Sequence, residues 1–288
     1  MTTDPLATMR AAGLAVTHEV GRGMEGVVAA LDDEHVVKLW DRRPRAEVER
    51  LRTFYDAVEV GLDRAGASLS VPRILAVEEV AGRVVTVHRR LRGAPAASPG
   101  PRAVLDVLEA LAQVPATPDL AVLPVPDGEP PFDPDVPFGA SLAALVQRRA
   151  ALLGPALRED VADRMADALR SLALVPPRLV HGDLGHAHVL VEGDRPVGLL
   201  DFGYISTVGD PAFDAAVAAA LQDMFGPRAA GATADFDQLA VVRFGHEPEV
   251  LVLYRAAYGL VTASCLAGHP GRHLDWCLRL VDTWHTPT

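Results

Sequence analysis

The chain has 288 residues, 49% of them hydrophobic, and a formal net charge of -11 at pH 7. It can bury a core large enough for one two-lobed domain or two small ones, which excludes a disordered protein. The acidic balance argues against a nucleic-acid partner, whose phosphates demand a basic face, and is compatible with a cationic ligand.

No apolar run approaches the ~18 residues that span a bilayer. The segment from Met1 to Arg10 has neither the basic nor the apolar region of a secretory signal. Cys265 and Cys277 form no CxxC pattern and no disulfide framework, so both read as core residues of C-terminal helices. A cytoplasmic protein with no membrane or nucleic-acid partner is expected. Basic positions are almost all arginine, and Lys38 is the only lysine. A lone compact ammonium among planar guanidiniums gains meaning if it falls in a motif.

In chain order, Asp4-Pro5 predicts a helix start, with the helix running through about Ala12. Three strand-like runs follow, Ala15 to Val20, Val27 to Leu31 and His35 to Trp40. Pro44 to about Val60 predicts a helix with Val48, Leu51, Phe54, Tyr55 and Val58 on one face. Two more strands, Arg73 to Val77 and Arg83 to Arg89, lead to Gly93. From Ala103 the texture becomes helical; Pro115 to Pro137 is proline-rich and reads as an extended surface connection. Helices are expected at Ala140 to Leu153 and Ala156 to Leu174, then a β-like stretch from Arg178 to Phe202. The last helices are placed at Pro211 to Met224, Pro248 to Ala267 and His273 to Trp284.

The β-like stretch carries the chemistry. Apolar residues lead into His181-Gly182-Asp183 and close the segment after His188, placing an acid at the mouth of a supported loop. A second apolar run ends in Asp201-Phe202-Gly203. Phosphoryl transfer needs a group to orient and deprotonate an attacking hydroxyl, and hard oxygen ligands for phosphate-bound magnesium. Asp183 suits the first task and Asp201 the second. Upstream, Gly21, Gly23 and Gly26 lie in a turn between two strands, where backbone N–H groups could approach phosphates. Lys38 sits inside an apolar strand, where it needs anionic partners. The next helix offers Glu47 and Glu49; Glu47 shares the buried stripe and is the expected partner of Lys38.

His181-Gly182-Asp183 with Asp201-Phe202-Gly203 resembles the catalytic core of the aminoglycoside phosphotransferases, antibiotic kinases related to the protein kinases. The resemblance extends over nearly the whole chain. It implies an α+β, two-lobed, protein-kinase-like fold: a small β-rich nucleotide-binding lobe with its hinge over 1–93, and a larger helical catalytic and substrate-binding lobe over 94–288. It implies ATP (GTP not excluded) and magnesium as cofactors, with adenine meeting the backbone near Arg89 and Leu91. Lys38 resembles the lysine of the kinase V-A-I-K strand. Gly209 to Asp214 resembles the segment after the metal-binding acid, with Asp210 capping a helix and Asp214 bracing the catalytic loop. His188 stands where the family usually has asparagine, as some macrolide kinases do; it is read as a metal ligand, with a supporting role as the alternative. For His186, loop packing, exposure and substrate contact stay open.

Only Tyr204 to Gly209 separates the second acid from the next helix, so no peptide-binding activation segment fits and no protein substrate is expected. The implied substrate is a small basic antibiotic, an aminoglycoside or a tuberactinomycin such as capreomycin or viomycin. Asp223, Asp235, Asp237, Asp275 and Asp282 are candidate acids for its cations. Alternatives are a macrolide or metabolite kinase and a nucleotide-binding pseudokinase. Trp276 and Trp284 read as core.

Overall fold

The computed structural model describes residues 4–23, 25–95, 101–126, 128 and 132–285. Met24 of the glycine turn and part of the proline-rich connection therefore lie outside the described residues.

Helix α1 (Pro5–Ala11) begins as its sequence dictates: Asp4 accepts a hydrogen bond from the Leu6 N–H at 3.1 Å, and Pro5 takes the first turn. Strands β1 (Glu19–Gly23), β2 (Gly26–Ala30), β3 (His35–Trp40), β4 (Ile74–Val80) and β5 (Arg83–Arg89) form one antiparallel sheet in the order β1-β2-β3-β5-β4. Alternation in β3 sends Val37 and Leu39 to one side, where they meet Met9 of α1, Ala29 and Val85. Lys38 and Trp40 point to the other side, toward helix α2 (Arg45–Arg64) and the rest of the chain. Helix α2 buries Val48, Leu51, Phe54, Tyr55, Val58 and Leu62, the stripe its 3.6-residue periodicity predicts. Each fully buried Leu or Phe there is worth roughly 1.5–3 kcal/mol.

The remainder is mainly helical: α3 (Pro101–Ala112), α4 (Phe138–Ala150), α5 (Val161–Arg170), α6 (Pro211–Ala220), α7 (Ala229–Phe244), α8 (Pro248–Cys265) and α9 (Arg272–His285). Between α5 and α6 lie short strands that carry the chemical motifs. They are β7 (Arg178–Val180), β8 (Val189–Glu192), β9 (Arg195–Leu199) and β10 (Thr207–Gly209), with β10 pairing β7 and β9 pairing β8. A two-residue strand, β6 (Ala94–Pro95), adds to the free edge of β8. Helices α6 and α8 are buried nearly all round and form the centre of this region.

Several stretches depart from expectation: the first strand forms over Glu19–Gly23 instead of Ala15 to Val20, and the proline-rich connection buries Leu120, Leu123, Val125 and Phe132 in the core. Helix α7 has no counterpart in the periodicity, because it buries only Phe236 and Ala240 and carries no continuous apolar stripe. The helix expected from Ala156 to Leu174 begins only at Val161, after a left-handed Asp160 with φ +75°.

On the Lys38 side of the sheet, the Trp40 Nε1–H donates to Thr86 Oγ1 at 2.9 Å, and the Thr86 hydroxyl lies 2.7 Å from His88 Nε2. Thr86 accepts from Trp40, and its one proton is shared between His88 and the Lys38 carbonyl, 3.4 Å away. Burial, reinforced by the charge of Lys38, pushes the His88 imidazole down to about 3. In the unfolded chain it takes up a proton below about 6.5, so its contribution to stability is complete above that pH and is lost as pH falls toward 3. His88→Gln is therefore expected to flatten the fall in thermal midpoint between pH 7 and pH 4; an unchanged slope would contradict the buried neutral form.

Candidate active site

The loop after β7 is built on one buried carboxylate. Asp214, in the first turn of α6, accepts the His181 N–H at 2.7 Å and the Gly182 N–H at 2.8 Å, one on each oxygen. Burial pushes its carboxyl up to about 7, while the two N–H donors pull it back. Asp210 caps α6 by accepting the Ala212 N–H at 2.9 Å and takes the Tyr254 hydroxyl at 2.9 Å on its other oxygen. The bracing role read for Asp214 and the capping role read for Asp210 are both seen in this geometry.

Gly182 is required sterically. Its φ is +84°, and a Cβ there would lie 2.4 Å from the Ile205 carbonyl carbon. His181 is buried; its ring donates from Nε2 to the Leu200 carbonyl at 2.8 Å and accepts the Asp183 N–H on Nδ1 at 3.3 Å. Burial holds it neutral, pushed down to about 3. The ring also packs 4.4 Å from Phe202, which in turn contacts Phe54 and Tyr55 of α2. One aromatic column thus ties α2, the Asp183 loop and the Asp201 loop together.

Asp183 emerges from this frame with Oδ1 accepting the Tyr258 hydroxyl at 2.6 Å. Burial raises its carboxyl above the usual range, a tendency that the Tyr258 hydrogen bond opposes. Tyr258 comes from α8 and no sequence motif marks it; a tyrosine in an apolar helix reads as core. Around it stand Tyr204, whose hydroxyl lies 3.4 Å from Thr262 Oγ1, and Cys265, 3.5 Å from the same hydroxyl.

His188 donates from Nδ1 to the Asp183 carbonyl at 2.8 Å, which leaves Nε2 facing Asp201 Oδ2 at 3.6 Å. Asp201 itself has φ +59° and a side chain largely in solvent. A neutral imidazole nitrogen and a carboxylate oxygen turned toward one another repel unless a proton or cation lies between them. A ligating histidine typically gives its other N–H to a carbonyl, as His188 does here. The pair therefore fits a divalent cation that takes its remaining ligands from phosphate and water. Among the described residues no group of three or more such side chains converges, so the protein alone makes no closed metal cage.

On the sheet side, Gly21 and Gly23 face open space in β1, whereas a Cβ on Gly26 would strike the Leu39 carbonyl oxygen at 2.0 Å. The expected pairing of Lys38 with Glu47 is corrected. Lys38 Nζ lies 3.2 Å from Glu25 Oε2, on the hairpin turn, and 3.7 Å from the centre of the Trp40 ring. Glu47 lies 3.8 Å from Arg43, which immediately precedes the N-cap of α2. Sequence reading overlooked both Glu25 and Arg43; Glu25 lies inside the glycine-rich turn, the one signal that could have found it. Arg89 ends β5 with its side chain near Glu59, and Leu91 follows, half-buried. Both line a cavity of about 550 Å³ with Asp33, Glu34 and His35.

Three of the candidate substrate acids have partners within the chain. Asp237 pairs with the buried Arg255, Asp235 with Arg228, and Asp223 accepts the Arg228 N–H. Trp276 is buried as expected, Trp284 is half-buried, and Cys277 is buried whereas Cys265 is exposed. No described helix is long and apolar enough to cross a membrane.

A sheet of this order, followed by a helical region that presents two acids on adjoining loops, defines a kinase with a protein-kinase-like fold. The model of the phosphotransferase enzyme family (APH) matches residues 18–250, and the chain belongs to that family of small-molecule kinases. It is similar over 98% of both chains to a thermostable mutant of aminoglycoside phosphotransferase APH(4)-Ia in complex with ADP and hygromycin B (16% identity, TM-score 0.68). It is also similar to the GDP and kanamycin complex of APH(2")-IIia, over 96% of this chain and 97% of that one (17% identity, TM-score 0.59). A macrolide 2'-phosphotransferase, MphH from Brachybacterium faecium, is similar over the same shares at 19% identity and TM-score 0.59. No curated protein matches the chain.

The steric demand at Gly182 gives a direct test. Gly182→Ala is expected to cost about 3 kcal/mol or more in chemical denaturation, from left-handed strain and the clash with Ile205 together. A cost under about 1 kcal/mol would mean that the loop does not need this geometry.

Proposed function

We propose that the chain transfers the γ-phosphate of ATP (or GTP) to a hydroxyl of a small basic antibiotic, an aminoglycoside or a tuberactinomycin cyclic peptide, and so confers resistance in the cytoplasm. The observation that carries the reading is the 2.6 Å hydrogen bond from the Tyr258 hydroxyl to Asp183 Oδ1. A carboxylate that already holds one O–H on a buried loop is placed to receive a second, from an acceptor. Asp183 orients that hydroxyl and takes its proton as the acceptor oxygen bonds to the γ-phosphorus, the β–γ bridge breaks and the nucleoside diphosphate leaves.

Asp201 and His188 would hold magnesium, which offsets negative charge on the phosphates. Lys38 and the turn bearing Gly21, Gly23 and Gly26 face the phosphate chain, and the backbone near Arg89 and Leu91 faces adenine. Glu47 acts through Arg43 rather than on Lys38. Residues 1–93 then form the nucleotide-binding lobe with its hinge, and 94–288 the catalytic and substrate-binding lobe. The short Tyr204–Gly209 segment leaves no peptide platform, so neither a protein substrate nor an activating phosphorylation is required.

A second reading, a macrolide or another acceptor with little charge, draws on the wall of Tyr204, Tyr258 and Thr262 beside Asp183, which is polar but uncharged. The relatives named above include both kinds of phosphotransferase.

Mass spectrometry of the protein incubated with Mg-ATP and a panel of aminoglycosides, tuberactinomycins and macrolides decides among these. One class is expected to gain a phosphoryl group, and Asp183→Ala to abolish the product. Product formed equally by Asp183→Ala would remove Asp183 as the base; nucleotide binding without product on any acceptor would favour a pseudokinase. Tyr258→Phe is expected to lower kcat about tenfold or more, the usual worth of a hydrogen bond to a charged group, while leaving nucleotide affinity unchanged.

A further inference from the structure

Four charges meet where the sheet faces the Asp201 loop. The carboxylate of Glu25 is divided between two cations: Oε2 lies 3.2 Å from Lys38 Nζ and Oε1 lies 2.8 Å from Arg43 Nη2. The cations are held from behind. Both lie over the face of Trp40, at 3.7 Å and 5.2 Å from its centre, and Trp40 is buried and fixed by its bond to Thr86. Arg43 is further held by Glu47 at 3.8 Å. Its guanidinium reaches the Asp201-Phe202-Gly203 loop, 3.5 Å from where a Cβ on Gly203 would stand.

The anion is the loosely held member. The Glu25 side chain is 44% exposed, against 17% for each cation, and it sits on the turn between β1 and β2. Its backbone is tethered by the Asp41 N–H, so the carboxylate can leave by side-chain rotation alone. With Glu25 turned away, Lys38 and Arg43 keep between them one carboxylate, that of Glu47 on Arg43, and the pair carries net positive charge beside Asp201. Two oxygens on one central atom, each taken by a different cation, is also the arrangement a phosphoryl group offers.

We infer that Arg43 is a second phosphate-binding cation alongside Lys38, and that Glu25 is an internal stand-in for phosphate, displaced when the phosphate chain of a nucleoside triphosphate enters. This rests on the nucleotide-dependent reading above and adds to it a residue and a competitor.

Calorimetric titration of the full chain with ATP, adenosine and inorganic tripolyphosphate tests it. Arg43→Gln is expected to weaken ATP and tripolyphosphate about tenfold or more, with adenosine unchanged, and Arg43→Lys to recover part of the loss. Glu25→Gln is expected to tighten both phosphate ligands about threefold or more, since a competing charge is removed while the side chain keeps its shape. An Arg43→Gln protein that unfolds cooperatively and binds ATP as tightly as the wild type would overturn the inference and leave the kinase reading standing. So would a Glu25→Gln protein that binds phosphate ligands more weakly, because Glu25 would then be structural. A wild type that binds neither ATP nor tripolyphosphate would overturn the nucleotide reading itself, and the inference with it.

Discussion

Two backbone N–H groups, of His181 and Gly182, converge on the buried carboxylate of Asp214. A buried loop cannot leave its donors unsatisfied without a cost of about 1–3 kcal/mol each, so this brace fixes the chain direction at the point where Asp183 leaves the core. Everything downstream inherits that direction. His181 aims at the Leu200 carbonyl and packs on Phe202; the Asp183 carbonyl receives His188; His188 faces Asp201. The candidate site is a chain of partners that starts at one carboxylate on the first turn of α6.

The sheet is coupled to this frame through aromatic packing. Phe202 lies against Phe54 and Tyr55 of α2, while Trp40 at the end of β3 carries Lys38 and Arg43 on its face. The groups read as nucleotide-facing and the groups read as acceptor-facing are therefore joined by packed rings as well as by charge. The surroundings of Asp183 differ in character from those of Lys38: beside Asp183 stand hydroxyls of Tyr258, Tyr204 and Thr262, whereas cations and carboxylates crowd around Lys38.

What the sequence revealed follows from the range of each interaction. The acids at Asp183 and Asp201, the cap at Asp210 and the brace at Asp214 all sit in short motifs, where identity and spacing carry the information. Strands β2, β3 and β5 and helix α2 were legible because alternation and 3.6-residue periodicity report burial directly. Tyr258 was not legible, since it meets Asp183 from a helix far along the chain that is buried on nearly every side. The Lys38 partner was misread for a related reason. Helical phase separates Glu47 from Glu49, but it says nothing of a carboxylate arriving from a hairpin turn or of an arginine just before the helix. Helix α7 escaped because a helix that buries two residues leaves almost no periodic trace.

The central claim is a division of labour between two acids on adjoining loops, Asp183 toward the acceptor and Asp201 toward the phosphates. Calorimetric binding of Mg-ATP to Asp183→Ala and Asp201→Ala tests it most directly. The account predicts that Asp183→Ala keeps the wild-type affinity within about twofold, whereas Asp201→Ala loses the magnesium-dependent part of the binding. Equal losses in the two variants, or an Asp201→Ala protein that binds Mg-ATP as the wild type does, would contradict it.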